Sequence, residues 1–256
     1  MEEVEPGAGS AAGSLADPVA EAKRIINRAE GEGVVLRALG GVAVAIRCPS
    51  GRVPPLARPY ADIDLATDGA SRERVTELLG ELGYAADREF NVLHGHRRLY
   101  FWDTANERQL DVFVDEARLC HRIDFRGRLE LEALTIPLAD LLLTKLQIVE
   151  TNEKDMLDVC AILADHEFTE GGAGIDADHI ARLAAVDWGL WRTLVMIIER
   201  TEAFAVEIAG FGAGVRVAER LRQLKSVLYA APKSRSWRLR ARIGERKRWY
   251  DLPEET

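Results

Sequence analysis

Cysteine is scarce in this chain, and no long apolar run is present. Cys48, Cys120 and Cys160 are an odd number, widely spaced and without a C-x-x-C pair. That pattern excludes a disulfide framework and a zinc knuckle and fits a reducing compartment. Histidine is almost as rare. The close pair His94-x-His96 has no cysteine or third histidine at zinc-like spacing, so it reads as a solvated turn. No uninterrupted apolar stretch reaches the length that crosses a bilayer, and the opening MEEVEPGAGSAAGS is acidic where a secretory leader is basic and then apolar. These absences predict a cytoplasmic protein with no membrane partner. A positive excess is missing too: 34 basic against 42 acidic residues give −8, which argues against a protein that coats nucleic acid non-specifically.

What is present is the composition of a globular protein, 47% apolar and 30% charged over 256 residues, enough chain to bury a substantial core. Residues 1–15, rich in Gly, Ala, Ser and Glu, bury too little to offset ordering entropy and predict a disordered tail. Val19, Ala22, Ile25 and Ile26 form a helical stripe over about 17–29, closed by Gly31 and Gly33. Val34–Leu39 reads as a strand ending at Gly40-Gly41, and Val42–Ile46 as the opening of a short helix. Four prolines between Cys48 and Pro59 make that segment a loop. Ala61-Asp62-Ile63-Asp64-Leu65-Ala66 alternates at period 2 and predicts a strand with both aspartates on one face. Helical spacing follows over Ser71–Leu82, with Gly83 as its stop.

Three strand-like runs come next, Phe90–His94, Arg98–Trp102 and Gln109–Val114, joined by turns at His94–His96 and Thr104–Asn106. From Ile136 the pattern turns helical, with Pro137 suited to a first helical turn. Helices are expected at about 137–150, 154–166, 177–186, 188–209 and 214–230, with a break over Thr169–Gly174. The fold class is therefore α+β, a small mixed β-sheet core with flanking helices followed by a C-terminal helical lobe. Its expected segments are 1–15, a core of 16–133, a helical lobe of 134–231 packed on the core, and a basic aromatic segment of 232–256.

The chemistry-bearing constellation is a Gly40-Gly41 turn after a buried strand, then Asp62-x-Asp64 on a second strand, then Asp111 on a third. Two carboxylates at i and i+2 on one strand face repel each other unless a cation lies between them. Such hard oxygen ligands suit Mg2+ or Mn2+. Asp111 could complete the site from a neighbouring strand and help activate an attacking hydroxyl, a role Asp115 could also claim. The glycines let backbone N–H groups approach phosphate at a helix N-terminus. Taken singly, each feature also has a plain structural reading: a turn, or a solvated strand carboxylate.

Leu39-Gly40-Gly41 followed by Arg58-Pro59-Tyr60-Ala61-Asp62-Ile63-Asp64-Leu65 resembles the glycine and Asp-x-Asp motifs of the DNA polymerase beta-type nucleotidyltransferase superfamily, and within it the AbiEii and MenT-type branch. Leu142-Leu143-Thr144-Lys145-Leu146 and Lys154-Asp155-Met156-Leu157-Asp158 resemble the same branch. The likeness covers about residues 34–166. It implies a small mixed sheet carrying a metal site, a helical lobe over the nucleotide, and transfer of NMP from an NTP with pyrophosphate release. Asp62, Asp64 and Asp111 would be both the catalytic residues and the metal ligands, with Gly40, Gly41, Arg58, Lys145 and Asp158 binding nucleotide. The acceptor would be a tRNA 3′ end, a small molecule or a protein hydroxyl, and a toxin role with an antitoxin partner is within the branch's range. Two departures stand out. Twenty residues separate Gly41 from Asp62, implying an inserted loop, and the second motif residue is Gly where Ser is usual. A non-catalytic nucleotide-binding or regulatory module on the same fold is the alternative.

Other residues carry two readings. Lys145, on an otherwise apolar helix, reaches the triphosphate or snorkels to solvent. Arg58 contacts phosphate or pairs with a carboxylate, and Asp158 holds Lys145 or the nucleotide. Asp155 on the same helical face reads as an N-terminal acid favoured by the helix dipole. Cys120-His121 reads as packed rather than nucleophilic. Residues 232–250 hold eight basic residues and one acidic, interleaved with aromatics. They form either an RNA-binding surface or a tail docked through Trp237 and Trp249.

Overall fold

Alternation at period 2 builds a mixed five-stranded sheet in the order β1-β2-β5-β4-β3. The computed structural model describes residues 13–169, 174–208 and 210–252. The strands are β1 (Leu36–Leu39), β2 (Ile63–Thr67), β3 (Ala85–Ala86), β4 (Arg98–Asp103) and β5 (Arg108–Val114), and a separate hairpin joins β6 (Glu116–Arg118) to β7 (Arg122–Asp124). Among these strands of the described residues, only β2 and β5 run parallel. The helices are α1 (Pro18–Glu30), α2 (Gly40–Arg47), α3 (Arg72–Glu81), α4 (Arg88–His94), α5 (Leu138–Leu146), α6 (Glu153–Asp165), α7 (Ala177–Val186), α8 (Trp188–Ile208), α9 (Gly210–Ala230) and α10 (Arg235–Ile243). The architecture is α+β, as the sequence predicts. Among the described residues no helix is long and apolar enough to cross a membrane.

One sheet face is the core. Leu36, Ala38, Ile63, Leu65, Leu110, Val112, Leu99 and Phe101 point into it and join Ile25 and Ile26 of α1 and Val75, Leu78 and Leu79 of α3 in one cluster. Each such side chain contributes roughly 1.5–3 kcal/mol on burial. The opposite face carries Asp64, Asp111, Arg98, Tyr100 and Trp102, and period 2 forces that division once the apolar set is buried. Residues 134–136 run alongside β1: Ala38 donates to the Leu134 carbonyl and accepts from Ile136 N–H, both at 2.9 Å. This contact sets the entry to α5 directly behind the end of β1.

The structure corrects several expectations. Phe90–His94 is helix α4, not a strand. Asp87 caps it by accepting from Phe90 N–H at 2.9 Å. Asn91 then bonds both backbone groups of Tyr100, accepting from its N–H at 2.7 Å and donating to its carbonyl at 3.1 Å. The segment thus satisfies the β4 edge at Tyr100 through the Asn91 side chain and one backbone bond from Asp87 N–H rather than through a continued ladder, which aromatic and β-branched content alone does not reveal. The first strand starts at Leu36 because Val34 N–H is taken by the Ala29 carbonyl closing α1, with Gly33 left-handed at φ 72°. Pro137 caps α5 from outside the helix. Helix α10 and the β6–β7 hairpin were not expected. Of the expected tail, residues 1–12 lie outside the described residues, as do 170–173 of the expected break. Ser14 is held, donating to Asp103 Oδ1 at 2.6 Å.

That anchor sits on a buried ion pair at the β4–β5 turn. Arg108 Nη2 lies 2.6 Å from Asp103 Oδ2, both side chains are 4% exposed, and Arg108 also donates to the Leu15 and Ala16 carbonyls. Removing one partner leaves the other charge buried and unpaired. Asp103→Ala should therefore lower unfolding stability by about 3 kcal/mol, read from the urea midpoint at unchanged slope. A loss below about 0.5 kcal/mol would show that the pair is solvated.

Candidate active site

The site begins where β1 turns into α2. Gly40 has φ 65°, a left-handed conformation that favours glycine. A Cβ on Gly40 would lie 2.0 Å from Asp64 Oδ2, and one on Gly41 would lie 2.3 Å from Arg58 Nη2. Bare backbone at both positions is therefore what allows Asp64 and Arg58 to pack against the turn. The residue before the turn, Leu39, gives α2 no side-chain cap, so the first-turn N–H groups face the site without a capping oxygen.

Strand register then lines up the carboxylates. Leu39 pairs with Asp64, Asp64 with Asp111, and Asp111 with Tyr100. This row crosses four strands at about 5 Å per step. Burial, then the charge of Asp111, pushes the Asp64 carboxyl up to about 7, while Lys145 pulls the other way. Asp111, 2% exposed, is fixed from two sides: Arg98 Nε donates to Oδ1 at 2.7 Å and Gln109 Nε2 to Oδ2 at 2.6 Å. The Arg98 guanidinium lies over the rings of Phe113 (5.3 Å) and Phe90 (5.9 Å). Asp62 is exposed and lies just ahead of β2 rather than within it, though its charge still acts on Asp64.

A second cluster stands beside the first. Asp158, 1% exposed, accepts from Arg58 Nε at 2.7 Å and Nη2 at 2.6 Å, and lies 2.9 Å from Lys145 Nζ. Asp155 pairs with the same ammonium at 3.2 Å while capped by Asn152 through its own N–H. Burial alone would lower the Lys145 ammonium, but Asp158 and Asp155 outweigh it and hold it raised. The same balance between burial and Asp158 raises Arg58, whose guanidinium covers the Tyr60 ring at 4.3 Å. Arg58 therefore pairs with a carboxylate, and Lys145 is not a snorkelling residue.

The structure thus gathers Gly40, Gly41, Arg58, Asp64, Asp111, Lys145 and Asp158, with Asp62 at the rim. Among the described residues no three His, Cys, Asp or Glu side chains converge as a ready metal-holding group. The donor set that fits a divalent ion is the pair of hard oxygen ligands Asp64–Asp111, with exposed Asp62 just ahead of β2. Sequence reasoning missed Arg98 and Gln109. Gln109 was legible as the i−2 neighbour of Asp111 on one strand face; Arg98 required the hairpin register.

Other candidates separate from this site. Asp115 accepts from Gly69 N–H at 3.0 Å. All three cysteines are free and buried, and burial pushes the Cys48 and Cys160 thiols up to about 12, a state unsuited to nucleophilic work. His121 bonds Thr193 Oγ1 at 2.8 Å and burial lowers it, as expected of a packed residue. The C-terminal segment docks through its tryptophans: Trp237 meets Trp191 at 5.3 Å, and Trp249 meets Trp188 at 6.0 Å and donates to Thr193 at 3.0 Å. Arg235, Arg238, Arg242, Arg246 and Lys247 are exposed. Among the described residues, no carboxylate pairs with any of these five.

No protein-family model matches the chain, and no curated protein matches its sequence. Two solved structures show a partial likeness in fold. One is a putative nucleotidyltransferase from H. pylori, 10% identical, spanning 82% of this chain and 95% of that one at a TM-score of 0.40. The other is JHP933 from Helicobacter pylori, 12% identical, spanning 88% and 97% at a TM-score of 0.40. Likeness at this level says nothing of chemistry.

Two outcomes follow from the geometry. Gly40→Ala forces a left-handed alanine against the Asp64 carboxylate and should cost about 1–3 kcal/mol of stability, visible as a lowered melting temperature. The second concerns pH. An unfolded aspartate ionises at about 3.9, whereas Asp64 keeps its proton to about 7. The folded chain therefore binds more protons between those values, and raising pH through that window destabilises it. Asp64→Asn, measured by urea unfolding without divalent ions, should match wild type near pH 4 and exceed it by at least about 1 kcal/mol at pH 8. Parallel pH profiles for the two proteins would remove the strained-carboxylate reading.

Proposed function

We propose that the chain is a metal-dependent nucleotidyltransferase moving NMP from an NTP to a hydroxyl acceptor. The observation carrying this reading is the row Gly40–Asp64–Asp111 across β1, β2 and β5. It sets backbone N–H groups beside two neighbouring carboxylates, with the charge of Asp64 disfavoured by burial and by Asp111. Asp64 and Asp111, with Asp62 drawn in from the rim, would hold Mg2+ or Mn2+, which polarises the phosphates and eases loss of the acceptor proton. The first-turn N–H groups of α2 at Gly40 and Gly41 receive phosphate oxygens. Arg58 and Lys145, oriented by Asp158, flank them with positive charge. Asp111, its rotamer fixed by Arg98 and Gln109, takes the acceptor's proton. The hydroxyl oxygen bonds to the α-phosphorus, the bond from that phosphorus to the β-phosphate oxygen breaks, and pyrophosphate leaves.

The exposed arginines of α10 and the segment after it support a polyanionic acceptor, with a tRNA 3′ end the one the sequence resemblance implies. An antitoxin partner follows from the same resemblance alone. A second reading has its own support: Asp62 stands apart, and Asp158 and Asp155 together neutralise Arg58 and Lys145. Both features suit a module that binds nucleotide without turnover.

Transfer of label from each α-labelled NTP to tRNA, aminoglycosides and protein separates the two readings. The enzyme reading expects transfer that needs Mg2+ or Mn2+ and falls roughly a thousandfold or more in Asp64→Ala and Asp111→Ala. Tight NTP binding with no labelled acceptor would favour the binding module instead.

A further inference from the structure

The row of paired residues does not stop at Asp111. Its next member is Tyr100 on β4, and one pair further along the same face lies Trp102, opposite Gln109. Trp102 is 39% exposed. Phe90 of α4 stands beside Tyr100 with ring centres 6.0 Å apart. The Arg98 guanidinium lies next to Phe90, and its Nε is committed to Asp111. Asn91, bonded to both backbone groups of Tyr100, together with the Asp87 N–H bond to the Tyr100 carbonyl at 3.1 Å, ties α4 to the strand and makes this ledge rigid. Neither a nucleotidyl-transfer step as described above nor the packing of the core uses these rings.

Strand order says which substrate belongs there. Resting on the nucleotidyltransferase reading, the phosphates lie on the β1 side, against Gly40, Gly41, Arg58 and Lys145. In-line displacement requires the attacking oxygen to approach from the side opposite the leaving pyrophosphate. With the carboxylates of β2 and β5 in the middle, that side is β4. The group carrying the hydroxyl therefore rests over Tyr100 and Trp102. Its chemistry follows from the lining: an exposed tryptophan and a half-buried tyrosine next to a guanidinium favour a flat, neutral heteroaromatic ring. An aminoglycoside has no aromatic ring and gains nothing from stacking on such a ledge. A protein hydroxyl would bring no planar ring to stack.

We infer that Tyr100 and Trp102, braced by Phe90, form the acceptor subsite, and that it takes the terminal nucleobase of a nucleic-acid strand whose ribose hydroxyl then reaches Asp111. The rings are positioning residues, setting the distance between that hydroxyl and the carboxylate pair. Base stacking tolerates all four bases, so the subsite reads the presence of a base more than its identity.

The experiment uses the full chain with short RNA oligomers bearing a free 3′ hydroxyl as acceptor, comparing wild type, Tyr100→Ala, Trp102→Ala and Trp102→Phe. NTP binding is followed separately by calorimetry. Each alanine variant should raise the KM for the oligomer about tenfold or more, and Trp102→Phe, which keeps a ring, should recover most of the loss. Wild-type transfer to RNA with KM unmoved by both alanine variants would overturn the subsite while leaving the nucleotidyltransferase reading intact. Transfer only to an aminoglycoside or to protein would also overturn it. If wild type binds no NTP and transfers nothing, the parent reading fails and the subsite fails with it.

Discussion

Two carboxylates held one strand apart at the open face of the sheet are the constraint around which the rest of this site is arranged. Asp64 and Asp111 are register partners on β2 and β5, and neither can move away without breaking the parallel ladder that buries Leu65 and Val112 on the other face. The repulsion between them is therefore paid for by the fold. Burial first, and then this repulsion, raises the Asp64 carboxyl. Around the pair the protein supplies partial compensation: Arg98 and Gln109 on Asp111, and Lys145 within range of Asp64. None of these fully satisfies two charges, and a small hard cation would.

The glycine turn and the helical half depend on the same geometry. Gly40 lies so close to Asp64 that a side chain there would displace the carboxylate. Residues 134–136 bond to Ala38 beside the turn, and this contact lays α5 behind β1, bringing Lys145 up to the pair. Lys145 would be expensive to bury alone; Asp158 and Asp155 on α6 make its burial tolerable. Asp158 then binds Arg58, reaching back across the proline-rich loop to Gly41. A chain of charge compensation thus runs from the sheet through α5 and α6 and returns to the turn, so the two halves of the chain meet at the site.

Much of this was legible in the sequence because it rests on local periodicity. Alternation around Asp62–Leu65 and Gln109–Val114 gave the two central strands, and 3.6-residue spacing gave α1, α3 and α6–α9 within a few residues. The glycine pair was legible because only glycine serves where backbone and carboxylate approach so closely. What was not legible depended on partners distant in sequence. Phe90–His94 has strand-like content, yet an Asp87 cap and the Asn91 bonds to Tyr100 make it a helix. Arg98 belongs to the site only through hairpin register. Asp62 and Asp64 share a side by alternation, but β2 begins at Ile63 and leaves Asp62 exposed. Among the C-terminal cations, two aromatic contacts, Trp237 with Trp191 and Trp249 with Trp188, dock the segment, which composition could not separate from a nucleic-acid surface.

The central claim is that Asp64 and Asp111 form a divalent-cation site that nucleotide completes. It is tested most directly by calorimetric titration of Mn2+ into the protein at pH 6.5 with a non-hydrolysable NTP present, repeated in two buffers of different ionisation heat. Because Asp64 must lose its proton to ligate, Mn2+ binding should release protons, strengthen with the NTP, and be lost in Asp64→Asn. Nucleotide binding that is equally tight with a chelator present, and no proton release on adding Mn2+, would contradict it.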